Sequence, residues 1–339
     1  MITPPSPDAQ AAARNRLAAL AIPTGALGRL GELAVWWSSV RGETTPAPPA
    51  HVRAVVFAGD HGVAAHGVSA YPSAVTAAMV RGFVAGVAGV SVLARQHDVS
   101  LRVLDLGVDA DFPDLDPALG AYKIRRGTEP IHLKDAMTVD ETHRAIEAGR
   151  QIAAEEIAAG ADLLIGGDMG IGNTTTAVAL IAGALGLPAE DVVGRGTGID
   201  DQALAVKTDV LATALQRAGD RVADPVELLA ALGSPDLAAQ AAFISAAAEA
   251  GVPVLLDGVI SVAAATVAER LTPGVAPWLA AGHRSTEQAQ WRALEALGLA
   301  PLVDFDLRLG EGSGAVAAVP MVRSAALLLA QMARLDELL

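Results

Sequence analysis

Short runs of consecutive apolar residues alternate along this chain with longer stretches in which apolar positions recur at helical spacing. The first run, Arg53 to Ala58, is closed by Gly59, and the second, Leu101 to Leu106, by Gly107. A third, Asp162 to Ile165, ends in Gly166-Gly167, and a fourth, Val252 to Leu256, ends in Asp257-Gly258. Weaker runs lie at Trp278–Ala281 and Leu302–Phe305. Runs without polar alternation predict strands buried on both faces. Helices are predicted between them: one from Pro72, where a first-turn proline costs no hydrogen bond, to about Arg95. Others cover about 140–159, 174–186, 200–218, 224–232, 235–250, 260–271 and 285–298. Residues 1 to about 50 read as helices with a Pro-rich exit at Thr44–Pro49, and a last helical region covers 313–338. Such alternation predicts an α/β fold, a Rossmann-like parallel sheet covered by helices, with ligands at the carboxyl ends of its strands. There is no internal repeat and no linker long enough to separate autonomous domains.

Composition narrows the chemistry. The 339 residues are 52% hydrophobic but only 3% aromatic, so the core must be built from Ala, Val, Leu and Ile. A formal charge of −14 argues against nucleic acid as a partner. No run of about 18 uncharged apolar residues occurs, and the first 14 residues lack the apolar stretch of a signal peptide, so no membrane is expected and the cytoplasm is the expected location. The absence of Cys excludes disulfides, thiolate metal sites and a Cys nucleophile. Three Lys stand against 21 Arg, which draws attention to Lys123, Lys134 and Lys207.

The predicted strand ends are rich in Gly and polar residues. Gly170 to Thr176 could cradle a phosphate, with Asn173 as cap and Thr174 in the first helical turn; it could equally be a tight strand-to-helix turn. It lacks the Lys-Ser/Thr ending of a P-loop. Gly194 to Gly198 is a second possible cradle, followed by the helix carrying Lys207, which is either a phosphate contact or a surface charge. Glu311, between Gly310 and Gly312, has room for a ligand to touch its carboxylate; it is a candidate general base, or else a partner of Arg308. Asp60-His61 could ligate metal or brace its own loop, and the metal option is weaker because no second His–carboxylate cluster has ligand spacing. His283-Arg284-Ser285 suits anion recognition, or helix capping by Ser285 with Glu287 and Gln288 in the next turn.

Taken together, these segments resemble one family, nicotinate-nucleotide–dimethylbenzimidazole phosphoribosyltransferase of cobalamin nucleotide-loop assembly. The matching stretches are Pro23–Leu30, Phe57–Val63 with Gly67–Ser69, Gly167–Thr175, Gly194–Asp200, Leu256–Gly258, His283–Ser285 with Glu287, and Leu307–Ala315, in the family's order over nearly the whole chain. The resemblance implies a Rossmann-like domain over 51–312, a smaller helical domain assembled from 1–50 and 313–339, and a homodimer. It implies Glu311 as general base. It places the nucleotide at Asp168, Met169, Gly170, Gly196, Gly198, Lys207, Asp257 and Ser285, with Asn173, Thr174 and Thr197 of the glycine loops beside them. The benzimidazole falls to the segment holding Ser69, Tyr71 and Thr76. Three departures stand out: Asp168 where the family often has Glu, Ser73-Ala74 without an acidic or amide residue, and Gln288-Ala289-Gln290 where many members have Gly-His.

The implied reaction joins the ribose phosphate of nicotinate mononucleotide to the base. A pyridinium leaves as a neutral ring, so no acid catalyst is needed, and one carboxylate can take the proton of the attacking benzimidazole. No diphosphate departs, so neither metal nor cofactor is expected. Two other classes remain open on sequence alone. One is a metal-dependent phosphatase or phosphotransferase using Asp60, His61, Asp105 and Asp168. The other is a non-enzymatic nucleotide-binding regulator.

Overall fold

The computed structural model describes residues 2–196 and 198–339. Six parallel strands form one sheet: β1 Val52–Gly59, β2 Val99–Gly107, β3 Leu163–Met169, β4 Val254–Leu256, β5 Leu279–Arg284 and β6 Pro301–Asp304, in the order β2-β1-β3-β4-β5-β6. The chain thus has the predicted α/β fold, with helices on both faces. The order reverses between β1 and β3, which are paired in register with Ala58 opposite Met169. In doubly wound sheets such a switch point opens a crevice at the strand carboxyl ends. Here it sets the loop after Gly59 beside the loop after Met169.

Between the strands run the helices α3 Ala74–Val84, α4 Gly89–Gln96, α5 Val139–Ala158, α6 Asn173–Leu185, α7 Asp201–Ala218, α8 Pro225–Leu232, α9 Pro235–Glu249, α10 Val259–Leu271 and α11 Gln288–Ala296. Aliphatic side chains and Ala fill the interior, as composition requires, and Phe57 meets Phe243 edge-on at 5.4 Å. Two further helices precede β1, α1 Pro7–Ala19 and α2 Gly28–Arg41, and a last one, α12 Ser313–Gln331, follows β6. The chain ends meet: Arg16 donates to the carbonyls of Leu329, Ala330 and Met332, and Leu20 bridges Arg334.

Two sequence expectations need correction. The single helix expected over 72–95 is two helices, because Gly86 adopts the left-handed conformation (φ 74°) and closes α3, with its N–H on the Phe83 carbonyl. The glycine-rich segments expected as loops are partly strand: β3 runs through Gly166, Gly167 and Asp168 to Met169, and β5 through Gly282 and His283 to Arg284. A side chain at Gly167 would collide with the Glu311 carbonyl, so this glycine serves close approach within a strand. By length and composition Ala74–Gln96 and Ser313–Gln331 could each cross a membrane, but Gly86 breaks the first and the second is 56% buried within the fold.

Candidate active site

At the carboxyl ends of β3, β4 and β5 lies a cleft of about 410 Å³. Of the residues singled out from sequence, Asp168, Met169, Gly170, Asn173, Thr174, Gly196, Asp257, Ser285, Glu311 and Tyr71 line it.

One end is built around Glu311. Gly310, Glu311 and Gly312 all have positive φ (78°, 68° and 92°), an unusual conformation for the Glu and one that its two glycine neighbours make sterically possible. This turn drives the side chain inward, where it is 5% exposed and its Oε2 accepts the Val90 N–H at 2.9 Å, in the first turn of α4. Burial pushes the Glu311 carboxyl above the ordinary Glu range and nearby Asp257 adds to this, while the Val90 N–H pulls the other way. Among the described residues no donor meets Oε1, and Arg308 forms no ion pair with Glu311. Arg308 also lines the cleft, and its guanidinium instead reaches over Gly198 (φ 102°), which is not among the lining residues. The pairing of Arg308 with Glu311 considered from sequence is therefore not formed.

The other end gathers around α6. Gly172 (φ 92°) precedes Asn173, and the helix start has no side-chain cap. Asn173 is not the cap expected from sequence; it is the first helical residue, and its Nδ2 donates to Asp168 Oδ1 at 2.7 Å. Thr174 and Gly196 face each other across this end, with Lys207 behind them: a side chain at Gly196 would sit 3.4 Å from Lys207 Nζ and 3.5 Å from Thr174 Oγ1. Lys207 is no surface charge. It is 1% exposed, and its Nζ donates to the Gly194 carbonyl at 2.9 Å. Burial lowers its pKa, opposed by the nearby Glu287 carboxylate. Thr197 lies outside the described residues.

Several side chains proved to be braces. Asp257 holds the start of α12, its oxygens accepting from Gly312 N at 3.1 Å and Ala315 N at 3.0 Å. Thr76 is fully buried and does not reach the cleft; its Oγ1 accepts from Ile171 N at 3.1 Å and so pins the glycine turn. Ser69 lies outside the lining and accepts from Tyr71 N at 3.3 Å, while Tyr71 itself is 53% exposed at the cleft mouth. The capping role proposed for Glu287 is replaced: α11 starts without a side-chain cap, and Glu287 Oε1 accepts from Gly196 N at 2.8 Å, across the chain. Gln290 was missed by sequence reasoning except as a departure from the family pattern. It is fully buried, accepts from Ser285 N at 2.7 Å and donates to the carbonyls of His283 and Asp257.

The four residues of the metal-dependent alternative do not converge. Asp105 is bonded to Lys123 Nζ at 2.8 Å and Val108 N at 2.7 Å, and Asp60 accepts from Asp109 N at 2.8 Å. Among the described residues no group of three His, Asp or Glu is arranged to hold a metal.

A cleft that pairs a buried carboxylate with a lysine-backed helix start, on a doubly wound sheet, suits group transfer from a phosphorylated small molecule. A family model described as Phosphoribosyltransferase matches residues 2–338. The chain belongs to this phosphoribosyltransferase family. Its relatives carry a more particular name, nicotinate-nucleotide–dimethylbenzimidazole phosphoribosyltransferase: that of Mycobacterium avium (strain 104) is 52% identical over 332 residues, covering 98% of this chain and 95% of the relative. That of Mycobacterium bovis (strain BCG / Pasteur 1173P2) is 51% identical over 336 residues, covering 99% and 92%. The crystal structure of CobT from Thermus thermophilus superposes with a TM-score of 0.93 at 45% identity, covering 98% of each chain.

Proposed function

We propose that the chain transfers the phosphoribosyl group of nicotinate mononucleotide to 5,6-dimethylbenzimidazole, giving α-ribazole 5′-phosphate and nicotinate for the lower ligand of cobalamin, with Glu311 as general base. The observation that carries this reading is the Glu311 carboxylate: buried in the cleft, fixed by one N–H through Oε2 and unpaired with Arg308. A base in that setting is raised above the ordinary Glu range yet keeps an oxygen for the benzimidazole N–H. As the ribose carbon bonds to the second ring nitrogen, that proton passes to Oε1 and the glycosidic electron pair returns to the pyridinium, which leaves as neutral-ring nicotinate.

The opposite end supports phosphate binding. An uncapped helix start and the Thr174 hydroxyl border a space with the Lys207 side chain behind Gly196, groups suited to a phosphate. Holding the phosphate there and the base near Glu311 aligns the reactants, which supplies much of the rate without a cofactor. Tyr71, Val75 and Met79 provide an apolar wall for the benzimidazole. The same reading includes a small unit formed by 1–50 and 313–339, supported by the Arg16 bonds to the end of α12, and a cytoplasmic homodimer. The direct test measures nicotinate release from nicotinate mononucleotide with and without dimethylbenzimidazole. Release that depends on the base, without added metal, is expected; release independent of it, or none, overturns the proposal.

A further inference from the structure

Behind Asp168 the cleft floor continues into buried polar groups that the transfer reaction does not use. Asp236, in the first turn of α9, is fully buried, and among the described residues neither of its oxygens meets a well-aligned N–H or O–H. His61 Nε2 lies 3.4 Å from Asp236 Oδ2, and His61 Nδ1 lies 3.0 Å from Thr176 Oγ1. On its other side Asp236 neighbours Asp168, whose Oδ1 takes the Asn173 amide and whose Oδ2 has no donor. Two ionised carboxylates buried side by side without donors repel one another, so the pair favours holding a proton. The groups have little freedom to separate: a side chain at Gly59 would collide with Asp236 Oδ1, and one at Gly170 would lie 2.7 Å from His61 Nε2.

We propose that Asp236, braced by His61, is a positioning residue that keeps Asp168 a neutral acid, its proton shared inward with Asp236, so that Asp168 adds no negative charge to the cleft facing an anionic substrate. The location of the proton follows from the neighbours. Burial works against ionisation of both carboxyls, but the His61 imidazole faces Asp236 and holds it below the ordinary Asp range. Asp168 has no such partner; burial and Asp236 push it well above that range, and Asp257 at the end of β4 adds to the effect. Glu311 and Arg308 line the same cleft, but Arg308 extends over Gly198 and Lys207 is bonded to Gly194, so among the described residues no Lys or Arg bonds to the pair. The benefit to the substrate rests on the function proposed above. Nicotinate mononucleotide carries a phosphate and a ring carboxylate, and an ionised Asp168 would repel both in a partly dry cleft.

Infrared difference spectra of protein labelled with 13C-aspartate test the protonation directly. Near neutral pH the substrate-free enzyme should show a protonated aspartate band that Asp168→Asn abolishes. Absence of the band, or its survival in Asp168→Asn, overturns the proposal whatever the substrate proves to be. Kinetics test the role of Asp236. In Asp236→Asn, Asp168 loses the neighbour that keeps it neutral, so KM for nicotinate mononucleotide at neutral pH should rise about tenfold over that of the unsubstituted enzyme, the scale of one like-charge contact. The value of kcat should change little, and adding Asp168→Asn to Asp236→Asn should remove the rise. An unchanged KM in folded Asp236→Asn overturns the proposal; should that variant not fold, the infrared comparison still decides. An enzyme with no transfer activity would defeat the function and leave the infrared result standing.

Discussion

Helices α4 and α6 both present their amino ends toward the cleft, yet one end is filled from within and the other is not. At α4 the positive end of the helix is met by the Glu311 carboxylate. At α12, Asp257 does the same. At α6 Gly172 takes the cap position, no side chain accepts from the first turn, and Lys207 stands nearby behind Gly196. A helix start left without an internal anion, next to a buried ammonium, is suited to an external one. The filled end serves another purpose: the Val90 N–H fixes a carboxylate that burial makes more basic. The comparison teaches that one structural device can fix a base or receive a phosphate, depending on whether the protein supplies its own carboxylate.

The sharpest way to break the comparison is Glu311→Gln. The amide oxygen can still accept the Val90 N–H, so the α4 end stays filled while the base is lost. Turnover should fall by about two to four orders of magnitude with binding of both substrates little changed. Saturation kinetics showing near-normal kcat in the folded variant would remove Glu311 from the chemistry, and unchanged function would favour a non-enzymatic regulator. The α6 end is tested by Lys207→Ala, with Lys207→Met as a control that retains more of the buried volume. Loss of a charge-assisted phosphate contact should weaken nicotinate mononucleotide binding roughly 10- to 100-fold while leaving benzimidazole binding nearly intact. Equal losses for both substrates would mean that Lys207 only braces the Gly194 loop.

A smaller effect concerns pH. The folded-state pKa of Glu311 lies above the ordinary Glu value of 4.5, so between the unfolded and folded values the native protein binds more protons than the unfolded chain. Its contribution to stability is therefore most favourable below the unfolded value and declines as pH rises through the folded one. At neutral pH Glu311→Gln should melt no lower than the unsubstituted protein, and its advantage should shrink on acidification. The acid limb of kcat should lie above the ordinary Glu range, because only the ionised carboxylate accepts a proton. A variant that melts much lower at neutral pH would make Glu311 a structural brace.

The strands were legible because the apolar run of β1 is buried on both faces, that of the edge strand β2 is buried over its second half, and both stop at glycine. The cleft was legible because its polar residues lie at those strand ends. What escaped was set by contacts across the chain. Glu287 looked like a local cap, but its carboxylate meets Gly196, 91 residues away. Asp236 sits in an ordinary Ser-Pro-Asp helix start, and only the fold brings it to His61 and Asp168. Gly167 read as loop because nothing local shows that the Glu311 backbone will press against it. The break between α3 and α4 was lost among several small residues, any of which could sit inside a helix.

That break yields the last and smallest prediction. Without it residues 74–96 would form one continuous helix, and the Val90 N–H would bond back to the preceding turn instead of to Glu311. Gly86 turns the chain at φ 74°, where a side chain is strained, while the space is tolerable: an added Cβ would lie 3.0 Å from Arg95 Nη1, the end of a flexible side chain. Gly86→Ala should therefore cost about 1 kcal/mol of stability from backbone strain. Turnover should drop by less than about tenfold, as α4 shifts and Glu311 loses part of its anchor. Gly82→Ala provides the control, since Gly82 is helical and its added Cβ would approach only Val87 Cγ2, at 4.0 Å. That variant should be at least as stable as the parent, by helix propensity, and equally active. If Gly86→Ala melts lower but keeps full kcat, the α4 end tolerates displacement and Glu311 is positioned by its own left-handed turn alone.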